Sequence, residues 1–123
     1  MLLTKLHKLE GNCLLRQTVI SALAPEISVS CQILVLGSMP GAISQKETEY
    51  YAHPRNLFWD CVETVFQIDR NAPYQARLVA LNDAYIGLWD VLASCSRKAS
   101  LDATICDAKC NDFVKLLSAY PQI

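Results

Sequence analysis

The amino-acid sequence predicts one α/β domain, spanning residues 1–123, that is built around a parallel sheet. The chain is 52% hydrophobic and 19% charged, with a formal net charge of −1. A chain of this length and composition can bury one core but is too short for two domains. Apolar strand-like runs alternate along it with amphipathic helical segments. This alternation is typical of a parallel sheet covered by helices.

The N-terminal segment 1–28 is predicted to be helical. Leucine and isoleucine recur there at helix-like intervals, and Gly11–Asn12 interrupts the pattern, so we expect one or two short helices. The sequence assigns this segment no role.

The first clear strand is Cys31–Leu36, which is aliphatic and β-branched and ends at Gly37. Because it lacks polar alternation, we expect it to be buried on both faces of the sheet. Residues 37–55 then contain two glycines and two prolines and are predicted to form a loop. A loop this long often carries function.

Three helices and a second strand are predicted in the rest of the chain. The first helix begins at Asn56 as its N-cap, the second runs from Pro73 to Asn82, and the third is capped by Asn111–Asp112. Tyr85–Trp89 is predicted to be the second strand. The first helix carries an apolar stripe made of Leu57, Phe58, Cys61, Val62, Val65 and Phe66.

Composition narrows the function classes. No apolar run approaches the roughly 20 residues of a membrane helix, and the first ten residues mix charges into the stretch where a secretory signal is apolar. We therefore expect a cytoplasmic protein without membrane contact, whose six cysteines are thiols. The near-neutral charge does not indicate a broad phosphate-binding surface, which leaves room for a local basic site.

The glycine-containing turn Gly37–Gly41 has the spacing of neither a dinucleotide fingerprint nor a P-loop. A tight turn after a strand is its simpler interpretation. A nucleophile elbow is excluded because the position for its serine is occupied by Met39.

A metal site is not predicted. Cys106 and Cys110 are four residues apart and could share a helix face, but the histidines, His7 and His53, lie far away in the sequence. Zinc sites usually supply four ligands at recognisable spacing.

Aromatic, imidazole, guanidinium and carboxamide groups are concentrated in Tyr50–Trp59. One interpretation places the aromatic rings in the core and leaves Arg55 in solvent. The other is a pocket for a planar ring, with an aromatic side chain for stacking and a carboxamide for hydrogen bonding. The residues alone leave both interpretations open.

Together, Gly37–Ser44 and Tyr50–Trp59 resemble the first motif of the hypoxanthine-DNA glycosylases, or DNA-deoxyinosine glycosylases, of the uracil-DNA glycosylase superfamily. The pattern is Gly-Ser-Met-Pro-Gly-x-x-Ser, five residues, then Tyr-Tyr-Ala-His-Pro-Arg-Asn-x-Phe-Trp. Tyr85–Leu92, Ser94–Cys95 and Ser100–Asp102 resemble the family's second strand and the following loop. The resemblance covers roughly residues 30–120.

The resemblance implies a three-layer α/β/α fold around a four-stranded parallel sheet, with neither metal nor cofactor. It implies hydrolysis of the N-glycosidic bond of a deaminated base, hypoxanthine or alternatively uracil, flipped out of DNA. The partner would be DNA containing such a base, and the product an abasic site. The sequence does not settle the oligomeric state.

The resemblance also implies the site residues. Asn56 would contribute most directly to catalysis, although a cap position also explains it. Tyr51 would stack on the base, and Arg55 would contact a DNA phosphate because its guanidinium offers a fork of donors. The other implied base contacts are Gly37, Ser38, Met39, Ser44 and His53. Sister families carry a water-activating Asn or Asp where this chain has Met39, which favours the hypoxanthine branch.

Two departures from the family pattern stand out. Gln45 follows Ser44, where leucine is usual. The chain also ends after a predicted helix, so we expect the last strand and the DNA-gripping second motif to be missing. Two alternatives therefore stay open. One is a truncated, inactive family member that keeps only the fold, and the other is a small-ligand-binding α/β domain.

Overall fold

A computed structural model describes residues 19–123 of the protein. Five strands are present in this range: β1 Val19–Ser21, β2 Ile33–Gly37, β3 Ile86–Asp90, β4 Leu92–Ser96 and β5 Cys106–Cys110. The helices are α1 Ala42–Glu47, α2 Phe58–Phe66, α3 Tyr74–Asp83 and α4 Phe113–Ala119, with a 3-10 turn at Asp102–Thr104. The α/β class predicted from the sequence is confirmed.

The strands form two sheets rather than one parallel sheet. β2 and β3 pair in parallel, and β4 pairs antiparallel with both β1 and β5. The predicted central parallel sheet is therefore found only in the β2–β3 pair. Val91 alone separates β3 from β4, whereas a parallel partner requires a crossover of a dozen or more residues. β4 consequently turns away into the antiparallel sheet.

Of the two parallel strands, β3 has the buried position. All five of its residues are buried. It has β2 on one side, and a bridge between Glu26 and Leu88 on the other. β2 was predicted to be buried on both faces, but Ile33 and Leu36 are 57% and 45% exposed. The apolar pattern thus identified the strand, but it did not show that β3 is the one described strand with which β2 pairs.

The core lies between β3 and helices α2 and α3. Helix α2 buries Trp59 and Val62, three residues apart on one helix face. The predicted apolar stripe is only partly buried, since Val65 and Phe66 are 68% and 43% exposed. The buried core cluster consists of Tyr50, Trp59, Val62, Leu78, Leu81, Ile86 and Leu88.

Other element predictions differ in accuracy. The second strand and the last two helices lie within one residue of their predicted starts, and Asp112 caps α4 by accepting a 2.9 Å hydrogen bond from the Lys115 amide. Helix α1 occupies part of the predicted loop, and Val19–Ser21, predicted to be helical, is a strand. The rest of the N-terminal prediction, residues 1–18, lies outside the described residues.

The cysteine-bearing segment was also interpreted differently from the sequence. Cys106 and Cys110 begin and end strand β5, so they do not share a helix face. Cys31, Cys61, Cys95 and Cys110 are free thiols, whereas Cys106 is disulfide-bonded, so the expectation of six thiols is wrong at that residue.

Within residues 19–123, no helix has the length and apolar character that crossing a bilayer requires.

Candidate active site

A cleft of about 350 Å³ opens where the two parallel strands end. Gly37, the last residue of β2, lies directly opposite Asp90, the last residue of β3. Ligand sites of α/β proteins commonly lie beyond the carboxyl ends of parallel strands. Seven of the eight predicted site residues line this cleft: Gly37, Ser38, Met39, Ser44, Tyr51, His53 and Asn56.

Arg97 stabilises the loop after β2 by hydrogen bonds, and its side chain is 1% exposed. Nη2 donates to the Pro40 carbonyl at 2.6 Å, and Nη1 donates to the Met39 carbonyl at 3.4 Å and to Asp102 Oδ1 at 3.0 Å. Ser38 Oγ donates to the other Asp102 oxygen at 2.5 Å. One arginine and one aspartate therefore fix three consecutive residues of the loop.

The backbone of the same loop has its acceptors occupied and its donors available. The carbonyls of Gly37 and Ser38 accept hydrogen bonds from the amides of Val91 and Leu92, at 2.8 and 3.2 Å. No hydrogen-bond acceptor within residues 19–123 meets the N–H groups of Ser38 and Met39. Adjacent free N–H groups at a loop of this kind suit an electron-rich ligand edge.

Tyr51 occupies the cleft wall in a constrained conformation. Its φ of 56° lies in the left-handed region, which is costly for a bulky residue. Its ring stacks on Phe58 with a centroid distance of 4.0 Å and an interplanar angle of 27°. The next amide, of Ala52, donates to the buried Ser44 hydroxyl at 3.1 Å. Burial, and secondarily the nearby Asp90, raise the pKa of Tyr51.

The neighbouring Tyr50 belongs to the core. It is 3% exposed, and its hydroxyl donates to the Ala24 carbonyl at 2.9 Å. Its own carbonyl accepts from Trp59 Nε1 at 3.0 Å, and its amide donates to the Tyr74 hydroxyl at 3.0 Å. The aromatic segment thus divides: Tyr50 and Trp59 build the core, while Tyr51 lines the cleft.

Asn56 lies where the loop becomes helix α2. Its Oδ1 accepts a 2.9 Å hydrogen bond from the Phe58 amide, the first residue of the helix. The predicted cap interaction therefore exists, one residue before the formal N-cap, Leu57. Among the described residues, nothing accepts from Nδ2, so the amide donor is available to a ligand in the cleft.

His53 and Arg55 take different positions. His53 lines the cleft, and its Nδ1 accepts a 3.0 Å hydrogen bond from the Arg55 amide, which leaves Nε2 as the nitrogen that can donate. Arg55 is exposed and is not part of the cleft wall. The structure thus brings together every predicted site residue except Arg55.

Asp90 was not singled out from the sequence, yet its side chain lines the cleft and is 3% exposed. Its Oδ2 is buried and has no hydrogen-bond partner within residues 19–123. Burial, reinforced by Asp102 and opposed by Arg97, raises the pKa of Asp90 to about 6. A charged residue that ends an otherwise apolar strand was the available signal in the sequence.

The segment after β4 supplies the other residues that sequence analysis missed. Besides Arg97 and Asp102, Ser100 lines the cleft, and its Oγ accepts a 2.9 Å hydrogen bond from the Ala42 amide. Local sequence carries no sign of these contacts, because they join segments separated by 57 to 64 positions. No group of three or more potential metal ligands is present in residues 19–123.

Comparison with known proteins supports the predicted resemblance. The chain is 38% identical over 100 residues to a curated hypoxanthine DNA glycosylase of Methanosarcina barkeri, covering 80% of this chain and 63% of that protein. A curated hypoxanthine DNA glycosylase of Methanosarcina acetivorans is 37% identical over 93 residues, covering 75% of this chain and 59% of that protein. The chain thus spans about three fifths of the length of these relatives.

A solved structure is also similar. The solution NMR structure of a candidate uracil DNA glycosylase from Methanosarcina acetivorans superposes with a TM-score of 0.77 at 32% identity. The match covers 85% of this chain and 66% of that chain. No protein-family model matches the sequence. The resemblance to hypoxanthine-DNA glycosylases that the sequence predicted is confirmed.

Proposed function

We propose that this chain is a DNA glycosylase that hydrolyses the N-glycosidic bond of hypoxanthine flipped out of DNA. The observation that carries the proposal is the convergence of seven motif residues on one cleft at the ends of β2 and β3. The identity of 37–38% to hypoxanthine DNA glycosylases supports it independently.

The cleft suits a base that has left the duplex. A base stacked inside DNA is out of reach of side chains at the bottom of a cleft, so the nucleotide must be flipped at a cost of about a few kcal/mol. That cost is lowest for a mispaired base, which includes hypoxanthine opposite thymine. Selection for damaged positions would therefore begin before the base enters the cleft.

Breaking the glycosidic bond leaves positive charge on the sugar and negative charge on the departing base. Hydrogen-bond donors placed where the negative charge develops lower this barrier. The free N–H groups of Ser38 and Met39 and the Nδ2 of Asn56 are such donors. We assign Asn56 the role of stabilising the departing base or holding the attacking water, since a carboxamide can serve in either.

Tyr51 and Arg55 are assigned binding roles. Phe58 covers one face of the Tyr51 ring, so a base in the cleft would stack on the other face. Arg55 is exposed and its amide donates to the cleft residue His53, so we assign it a contact with a phosphate beside the flipped nucleotide. His53 Nε2 and the Ser44 side chain complete the proposed contacts to the base.

The test is single-turnover incubation of the purified chain with a labelled duplex containing one deoxyinosine, followed by alkaline cleavage of abasic sites. We expect strand cleavage at the inosine position and none in a duplex with adenine there. The same assay on duplexes that contain deoxyuridine or deoxyxanthosine ranks the three bases by their rates of release. Intact inosine duplex, under conditions where the Methanosarcina barkeri relative cleaves it, would overturn the proposal.

A further inference from the structure

Asp90 lies at the floor of the cleft, in a position that nothing in the proposed mechanism uses. It is 3% exposed and lies opposite Gly37 in the strand register. A Cβ on Gly37 would lie 2.5 Å from Asp90 Oδ1 and 3.5 Å from the Tyr51 hydroxyl. The absence of that Cβ therefore leaves Oδ1 beside open space that the stacking tyrosine also borders.

The buried carboxyl group of Asp90 makes no side-chain hydrogen bond to the described residues. Oδ2 is enclosed and meets no hydrogen-bond partner in the described part of the chain. The nearby cation, Arg97, directs its guanidinium to the carbonyls of Met39 and Pro40 and to Asp102. Buried polar atoms are almost always paired, so a carboxyl group with an enclosed, unpaired oxygen is costly to ionise.

The burial of Asp90 favours its neutral form. Burial is the main reason that its pKa rises to about 6, Asp102 on the 3-10 turn adds to the rise, and Arg97 after β4 partly opposes it. The phenols of Tyr50 and Tyr51 face it from the loop before α2, and Asp90 contributes to raising the pKa of both. A base that closes the cleft would bury the carboxyl further and hold its proton more firmly.

We propose that Asp90, as a neutral carboxylic acid, donates a hydrogen bond to the exocyclic oxygen of the flipped base and selects deaminated bases. Hypoxanthine carries an oxygen where adenine carries an amino group, and an amino group cannot accept that hydrogen bond. The same oxygen gains negative charge as the base departs, which a neutral donor stabilises and a carboxylate would repel. This inference rests on the proposed function and deepens it.

The experiment compares wild type with Asp90→Asn, which keeps a donor of the same shape, and Asp90→Ala, which removes it. Asp83→Asn changes an exposed carboxylate outside the cleft and serves as the control. Single-turnover cleavage of the deoxyinosine duplex is measured from pH 5 to pH 9. We expect the wild-type and control rates to fall as the pH rises through the titration of Asp90. Asp90→Asn should lack this fall, and Asp90→Ala should be at least tenfold slower at low pH.

His53 also lines the cleft. The pH dependence of the rate is therefore assigned to Asp90 only if Asp90→Asn loses it. Persistence of the alkaline fall in Asp90→Asn, or a wild-type rate in Asp90→Ala, would overturn the inference. Thermal unfolding of each variant establishes that it is folded.

A binding measurement separates this inference from the glycosylase proposal. Fluorescence anisotropy compares a duplex carrying cleavage-resistant 2′-fluoro-deoxyinosine with the matched adenine duplex. If wild type prefers the inosine analogue without cleaving deoxyinosine, and Asp90→Ala loses the preference, recognition by Asp90 stands and the glycosylase proposal fails. If wild type binds the inosine analogue and the adenine duplex equally well, the inference about Asp90 fails.

Discussion

Arg97 donates a 2.6 Å hydrogen bond from Nη2 to the carbonyl oxygen of Pro40, 57 positions earlier in the chain. A buried guanidinium thereby fixes the cleft-lining loop that contains the free N–H groups of Ser38 and Met39. Through Asp102 the same arginine also holds the Ser38 side chain. The conformation of the candidate base-binding loop therefore depends on a residue outside the recognised motif.

Replacing Arg97 by methionine should lower both stability and activity. The substitution removes hydrogen bonds from a charged donor to buried carbonyls, and we expect a loss on the order of 3 kcal/mol in the free energy of unfolding. Urea denaturation measures this loss. Arg70→Met is the matched control, because Arg70 pairs with Asp60 at the surface and is 45% exposed, so its loss should be under about 1 kcal/mol. Equal losses in the two variants would contradict the clamp role of Arg97.

Two substitutions of Asn56 separate its structural role from its proposed catalytic role. Asn56→Ala removes the acceptor for the Phe58 amide and should cost about 1 kcal/mol of stability. Asn56→Asp keeps the acceptor and should unfold like wild type. Both lose the Nδ2 donor, so single-turnover base release should fall by roughly 100-fold or more in each. A wild-type rate in Asn56→Asp would show that the amide donor is dispensable.

Tyr51 should matter for binding through its ring rather than through its hydroxyl. Tyr51→Phe keeps the stack on Phe58 and should bind an inosine duplex like wild type. Tyr51→Ala removes the stacking surface and should weaken binding by roughly 10-fold to 100-fold, the range for one base–aromatic stack. Anisotropy titration with the cleavage-resistant duplex measures both. Equal weakening of binding in the two variants would assign the contact to the hydroxyl instead, since both lack it.

The buried carboxyl of Asp90 should make stability depend on pH. Its pKa is about 6 in the folded protein and about 3.9 when unfolded. The folded state therefore holds the proton more tightly, and stability falls as the pH rises from about 4 to 6. Above about pH 7 the cost of the buried charge is complete, on the order of 3 kcal/mol.

Asp90→Asn tests this dependence because it removes the ionisation at nearly constant shape. Relative to wild type, the variant should be more stable at pH 8 than at pH 4.5 by most of that amount. Unfolding midpoints at the two pH values give the comparison. A stability difference that does not change with pH would show that folding does not raise the pKa of Asp90 above its unfolded value.

The elements that local sequence could predict are those with strong local signals. β3, α3 and α4 lie close to their predicted positions because their signals act within a few residues. These signals are the apolar run of β3, the proline at the start of α3 and the aspartate cap of α4. β4 and β5 were missed because Leu92–Ser96 and Cys106–Cys110 are mostly small or polar residues and include no β-branched or aromatic side chain. Their strand structure comes from pairing across the sheet, which overrides weak local preference.

The sequence by itself determined the motif: an unusual series of residue types at long, specific spacing singled out Asn56, Tyr51 and the loop after Gly37. Only the tertiary structure decided which aromatic residues enter the core and which line the cleft. It also decided the importance of Asp90 and Arg97. The physical reason is that burial without a partner, and hydrogen bonds across 57 positions, are properties of the folded arrangement. No local pattern of residues encodes them, because the same side chains at a surface would be ordinary solvated charges.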